Sequence, residues 1–444
     1  MRNVAEITRE KAFWLLDLLK GGNIKKHYTS IKQLIENTAG GEITNKIKQG
    51  KLHSILDHTV NTTGFYQHLK NYTALSDFPV IDKTIIRENF EKFTSAIFTP
   101  EQLIPVVTSG STGTPFKVMH SADKRLRNNA DTMYFAKLAG FTIGDKLVYL
   151  KIWSDLNRKP GLQKWMQNIM PVDVISFSDT QIALLIETME KSNETFGFLG
   201  YSSAIELVCK YLDKTNHGKV KTKLVSAISM SEALNDYTKT TIDKYFGVPV
   251  YSRYSNIENG ILAQQIPGQA NRFLVNTASY VAEILKIDSD QPAVYGELGR
   301  LVVTDLYNRA MPLIRYDTGD IAAFSNNTDK YGNTYLETIE GRKLDLLFAT
   351  DGSLVSSYIV YKNMWQYTEI TQYQLVQYGP GQYTFKVNME GGFLRKEKLI
   401  REFKEYLGED ADFKVEFVDE IPLLSSGKRK KIVNTYHSSV TASN

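Results

Sequence analysis

Hydrophobic positions along the chain fall into three spacing regimes. Over the first hundred residues Phe13, Leu16, Leu19 and Ile24, then Leu52, Ile55 and Leu56, recur at helical intervals, which predicts a mainly helical lead-in over 1–100. Between 146 and 317 short apolar runs take over, at 147–150, 174–177, 196–199, 224–228 and 301–304. The stretches 181–191 and 203–212 between them keep the spacing of amphipathic helices. Strand–helix alternation of this kind predicts an α/β architecture with a substantially parallel sheet.

After about residue 340 the pattern simplifies. Residues 371–378 and 383–389 read as strands around the turn Gly379-Pro-Gly381. Residues 394–407 set Leu399, Ile400, Phe403 and Leu407 on one side of a helix, and 413–418 alternate again. A β-β-α-β tail of this size can fold as a small α+β domain. The expected organisation is a large domain over 1–341, with mixed sheets and helices, and a small mobile domain over 342–444 on a hinge. Two unequal domains invite a cleft, a common ligand location.

Composition mostly removes alternatives. With 42% apolar and 23% charged residues the chain is an ordinary globular one. A net charge of +4 over 444 residues is too small for a nucleic-acid footprint. The single cysteine, Cys209, forbids an intrachain disulfide and a Cys-rich zinc site; on its helical stretch it reads as a core thiol. The seven histidines show no His-Glu-x-x-His spacing. No apolar run approaches the ~18–20 residues of a spanning helix. The first ten residues are charged throughout, unlike a signal peptide. A cytoplasmic protein without a membrane span is the expectation.

Five short segments carry candidate chemistry. Thr108-Ser-Gly-Ser-Thr-Gly-Thr-Pro-Phe-Lys117 packs two glycines and five hydroxyls into seven residues, so backbone N–H groups and hydroxyl donors are available to a polyphosphate. It lacks the Walker A spacing, and by composition alone a flexible linker is an equal reading. In Arg253-Tyr-Ser-Asn-Ile-Glu-Asn259 a carboxylate lies one turn from an aromatic ring, a pairing that could hold Mg²⁺ and stack on a base; a lone Glu is more often a solvated charge. In Arg315-Tyr-Asp-Thr-Gly-Asp320 the last carboxylate could accept both hydroxyls of a ribose, or sit in an ordinary turn. Gly341-Arg-Lys-Leu-Asp345 lies at the domain boundary. Pro422-Leu-Leu-Ser-Ser-Gly-Lys-Arg-Lys-Lys431 by itself reads as a solvated basic run.

In this order and at these separations, covering roughly 75–431, the segments resemble the acyl-adenylate-forming superfamily of acyl-CoA synthetases, adenylation domains and relatives. Phe78-Pro-Val-Ile-Asp-Lys-Thr-Ile-Ile-Arg-Glu-Asn89 and Ser229-Met-Ser-Glu-Ala233 resemble its phenylacetate–CoA ligase-like branch, which includes variants found with capsular polysaccharide synthesis. Three departures stand out. Leu344 occupies the usual hinge Asp position, with Asp345 next to it; Ser255 replaces a Gly; and the phosphate-loop lysine is displaced to Lys117.

The resemblance implies ATP-dependent activation of a carboxylic acid to an acyl-adenylate with release of pyrophosphate, then transfer to coenzyme A. By that resemblance Thr108, Ser109, Gly110, Ser111, Thr112 and Gly113 would cradle the β- and γ-phosphates. Ser231 and Glu232 would line the adenine and Tyr254 would stack on it, with Ser255 and Asn256 also counted among the cofactor-binding residues. Glu258 would bind Mg²⁺, Asp320 the ribose with help from Arg342, and Lys428 would bridge the acid carboxylate and the α-phosphate. Trp153, Tyr201, Ser202 and Met230 would fall near the acid, favouring an aryl or small apolar one. Implied partners are the acid, ATP or AMP, and coenzyme A or a carrier protein; no zinc is implied, and a homodimer is allowed. Transfer to a sugar amine, protein or hydroxyl is the alternative, and a non-catalytic nucleotide-binding module a second one.

Overall fold

The computed structural model describes residues 2–38, 40–108, 116–153, 165, 167–175, 177–269, 271–342, 347–355, 358–364, 366–367, 369–389, 391–422 and 429–435. The chain divides into a large compact unit reaching residue 338 and a small one from residue 339, to which residues 319–322 also belong.

The large unit opens with three helices, Val4–Leu19, Asn23–Ile35 and Gly41–Thr62. The first is held by polar groups. Its buried residues are Glu6 and Asp17, while Leu19 of the expected apolar face is exposed. Glu6 closes a capping box with Asn3, its Oε2 accepting from Asn3 N at 2.8 Å, and its Oε1 accepts from Thr195 N at 2.6 Å. Asp17 accepts from Ile24 N and Lys25 N at 3.1 and 2.9 Å and so caps the second helix, whose N-cap Gly22 has no side chain to do so. Ile31, Leu34 and Ile35 then carry the apolar docking, against Ala130, Tyr134 and Phe135.

A hairpin follows, β1 (Ile104–Thr108) and β2 (Phe116–His120), then the helix Ala122–Leu138. The main sheet is built from β3 (Lys146–Lys151), β4 (Ile169–Asp173), β5 (Thr195–Tyr201), β6 (Lys223–Met230), β7 (Val250–Asn256), β8 (Gly260–Gln265), β9 (Phe273–Val275), β10 (Tyr280–Leu285), β11 (Gly299–Asp305), β12 (Tyr316–Phe324) and β13 (Tyr335–Arg342). Their order is β10-β11-β12-β13-β9-β8-β7-β6-β5-β3-β4. The β4 to β7 side is parallel, as the alternation predicts, and β7 meets β8 antiparallel. One face of the parallel half packs on the helices Asp179–Glu190, Ser202–Lys214 and Asp236–Phe246 through Leu150, Phe198, Ile205, Val208 and Ile242. Cys209 is buried in that core, as expected of a structural thiol.

The expected strand at 174–177 lies elsewhere: β4 occupies 169–173, and 174, 175 and 177 belong to no strand. Asp173 Oδ1 accepts from Ile175 N at 3.1 Å and turns the chain away, while Pro171 is tolerated because β4 is an edge.

In the small unit, β16 (Gln372–Gly379) and β17 (Gln382–Asn388) form the antiparallel pair expected from the sequence. β18 (Asp412–Phe417) runs parallel to β17, and β19 (Ile432–Asn434) runs parallel to β16. Short strands β14 (Leu347–Phe348) and β15 (Leu354–Val355) precede them. The helix Lys396–Leu407 sets Leu399, Phe403 and Leu407 against Leu375 and Phe385. The helix starts after Leu394, which is exposed. Among the described residues no helix is long and apolar enough to cross a membrane.

Candidate active site

Parallel strands end where the sheet changes to antiparallel, and the crevice outside such carboxyl ends is the usual ligand position in open α/β sheets. Several motif residues gather there within the large unit. Met230, the last residue of β6, lies opposite Arg253 of β7, so Ser231 and Tyr254 are the first residues beyond the parallel β6–β7 pairing. Ser231 holds φ +70°, a turn conformation that lets the chain leave β6 sharply. Glu232 turns its carboxylate onto Ser203 N at 2.9 Å, in the first turn of the helix Ser202–Lys214, where a negative charge is stabilised. Its carbonyl accepts from Ser202 Oγ at 2.8 Å.

The β7–β8 register slips between Tyr254 and Ser255, a bulge of the kind that re-aims side chains. Asn256 Oδ1 then accepts from Asn259 N at 2.8 Å and closes the turn that carries Glu258. Glu258 is only 2% exposed. Its Oε1 accepts from Tyr316 OH at 2.7 Å and lies 3.2 Å from Lys83 Nζ. Its carbonyl accepts from His120 Nε2 at 2.8 Å; burial, helped by the Lys124 charge, pushes that histidine down to about 4, so at pH 7 the ring is neutral. A buried chain supports the next residue: Tyr280 OH donates to Asn259 O at 2.6 Å, Lys124 Nζ to Tyr280 OH at 3.0 Å, and Lys124 pairs with Asp305 at 2.6 Å.

Thr108 closes β1 opposite Phe116 of β2, and the Phe116 ring stacks on Tyr316, 5° from parallel with centroids 6.4 Å apart. The hairpin end, Tyr316 and Glu258 thus form one contiguous group. Asp320 is half-buried on β12, after Gly319 at φ +80°. Arg342 ends β13. Ser109, Gly110, Ser111, Thr112, Gly113, Leu344, Asp345 and Lys428 lie outside the described residues.

Lys83 and Tyr316 lie within segments quoted from the sequence but carry no role there; the structure brings both to Glu258. Asp82 Oδ1 accepts from Thr84 N and Ile85 N, both at 2.8 Å, and so starts a helix whose first residue is Lys83. A cation at the first helical position opposes the helix dipole, and that mismatch is the signal in the sequence. A backbone bridge fixes its reach: Ile81 N donates to Arg315 O at 3.0 Å and Asp317 N to Ile81 O at 2.8 Å.

Among the described residues no group of three His, Cys, Asp or Glu could hold a metal ion. Mg²⁺ commonly binds through one or two carboxylates plus substrate phosphates, so Glu258 alone fits such an ion provided Lys83 yields its oxygen. A cavity of about 390 Å³ lined by Lys51, Ser54, Tyr307 and Arg309 lies elsewhere and contains none of the motif residues.

Residues 347–435 match the CapK C-terminal domain family. Over 434 residues the chain is 24% identical to the protein CapK of Staphylococcus aureus, with 92% of each covered. Among solved structures it superposes on a 2-hydroxyisobutyryl-CoA ligase bound to 2-HIB-AMP with a TM-score of 0.69 at 16% identity, covering 91% of this chain and 92% of that one. The anthranilate CoA ligase AuaEII in complex with anthranoyl-AMP gives 0.53 at 16% identity, over 79% and 69%. The amide bond synthetase McbA of Marinactinospora thermotolerans gives 0.53 at 18%, over 75% and 68%.

Proposed function

We propose that this chain, which has the fold of the acyl-adenylate-forming ligases, uses ATP to activate a small carboxylic acid and then passes the acyl group to coenzyme A. An acid oxygen attacks the α-phosphorus, an acyl–phosphate bond forms, the α–β bond breaks and pyrophosphate leaves. A thiolate then attacks the acyl carbon and AMP leaves. No covalent enzyme intermediate is needed, so positioning and charge stabilisation do most of the work. That suits a chain whose only cysteine is buried in a core.

The observation that carries the reading is the contiguous group formed by the β1–β2 hairpin end, Tyr316 and Glu258, with Ser231 and Tyr254 just beyond the parallel β6–β7 pairing. The phosphates would lie at the hairpin, the adenine at Ser231 and Tyr254, the ribose at Asp320 and Arg342, and the reacting carboxylate at Lys428. A divalent cation on Glu258 would neutralise phosphate charge. The test is pyrophosphate release across a panel of carboxylic acids, with and without coenzyme A. Acid-dependent release with a thioester product is expected. ATP binding without release from any acid would leave only a nucleotide-binding module. A non-CoA acceptor, such as a sugar amine, is the second reading, favoured by the resemblance to variants found with capsular polysaccharide synthesis; product mass separates the two.

Lys83 Nζ lies 3.2 Å from Glu258 Oε1, so its charge competes with any cation held by that carboxylate. Lys83→Met should therefore tighten binding of Mn²⁺, in the presence of a non-hydrolysable ATP analogue, by about tenfold in EPR titrations, because a competing positive charge is removed. An unchanged dissociation constant would separate Lys83 from the metal.

A further inference from the structure

Arg253 is 5% exposed and sits in the middle of the sheet. Its Nε donates to Gln264 Oε1 at 2.7 Å, and that amide is itself fixed by Gln264 Nε2 donating to Phe135 O at 2.8 Å. Among the described residues no carboxylate pairs with the guanidinium. Nη2 is buried without a hydrogen-bond partner. Burial pushes Arg253 down to about 10, so it keeps its charge at pH 7. A buried charge is ordinarily paired, and an orphaned buried donor calls for a cause.

The same cavity that Arg253 lines, about 90 Å³, is also lined by Ser226, whose Oγ is likewise buried and unpartnered. The remaining walls are largely apolar, including Phe141, Leu147, Leu199 and Ile228. A water there would satisfy the donors but leave the positive charge without a counter-charge. A compact anion would do both, since a guanidinium presents two parallel donors to a carboxylate.

The cavity adjoins the residues expected near the acid. Met230 is directly across from Arg253 and packs on Leu199 and Ile228. Trp153 meets Tyr149 edge-on at 5.5 Å, and Tyr149, like Met230, packs against the cluster of Leu199 and Ile228 that lines the cavity.

We propose that Arg253 and Ser226 form an internal subsite for a compact anion of carboxylate size, supplied by the far end of a dicarboxylic acid substrate or by a free monovalent anion. The first source rests on the acid-activating function proposed above and replaces the lean toward an apolar acid; the second does not depend on it.

Two measurements separate the sources. Pyrophosphate release is compared for acids of equal length, succinate against butyrate and glutarate against pentanoate, on wild type, Arg253→Met, Arg253→Lys and Ser226→Ala. If the substrate supplies the anion, wild type favours the dicarboxylate in kcat/KM by at least about tenfold, because a monocarboxylate leaves buried donors unpaired. Arg253→Met removes or reverses that preference, Ser226→Ala weakens it several-fold, and Arg253→Lys keeps its direction. In the second measurement the melting temperature is followed as sodium gluconate, too large for the cavity, is replaced by chloride or acetate at constant ionic strength. A saturable rise in wild type that Arg253→Met lacks identifies a free anion.

If no acid supports release with any protein, the acid-activating reading fails and the salt series still decides the subsite. If Arg253→Met does not fold, Ser226→Ala and Arg253→Lys carry both comparisons. Equal acid preference and equal melting behaviour in wild type and variants would overturn the proposal.

Discussion

Lys428→Ala is expected to lower acid-dependent ATP–pyrophosphate exchange by about 10²–10³-fold, the usual cost of removing one preorganised donor at developing charge. By the resemblance, the motif Ser426-Gly427-Lys428 would bring a compact ammonium to the acid oxygen and the α-phosphate. Both are anionic, so their approach is opposed until a cation lies between them. Lys428→Arg should recover little, because a planar fork does not occupy the place of a point charge. ATP affinity and far-UV circular dichroism should stay near wild type, since the small unit's core is built from Leu375, Phe385, Leu399 and Phe403. Thioester formation from a preformed acyl-adenylate should also survive, which would localise the defect to the first step. Wild-type exchange in Lys428→Ala would refute the role.

Asp305→Ala is expected to cost about 3–5 kcal/mol in unfolding free energy, the range for breaking a buried ion pair from one side. Lys124 and Asp305 are both fully buried and meet at 2.6 Å. Asp305 Oδ1 also accepts from Tyr307 N at 2.9 Å and Asn308 N at 3.1 Å. Removing the carboxylate strands an ammonium and two N–H groups together. The sharper test is the double change Lys124→Met with Asp305→Leu, which removes both charges and should recover much of the loss, although the two N–H groups stay bare. Urea unfolding of the single and double variants measures both. A loss below about 1 kcal/mol for Asp305→Ala would mean that water reaches the pair.

Most strands of the parallel half, and β16, β17 and β18 of the tail, were legible because apolar runs or alternating positions mark them, whereas β4 lies ahead of the apolar run at 174–177. The antiparallel half was largely not. β9 is only Phe273–Val275, too short for any period to register; in the tail, β19 likewise escapes because it follows a basic run. The motif residues were legible because each segment concentrates its chemistry in a few positions. What joins the segments was not: Lys83 meets Glu258 only because Ile81 bridges to Tyr316, a pairing that no local pattern encodes. The first helix misled for a related reason. Its leucines suggest an apolar dock, yet Glu6 and Asp17 are the buried residues, placed by hydrogen bonds to distant backbone.

That attachment has a consequence during synthesis. The Glu6 carboxylate waits for an amide that lies 189 residues further along the chain. At roughly 5–20 residues per second the ribosome delivers Thr195 about 10–40 s after Glu6. Through that interval the first helix holds to the second, through Asp17 and the Trp14–Tyr28 ring contact, and its attachment to the strand that Thr195 opens cannot form.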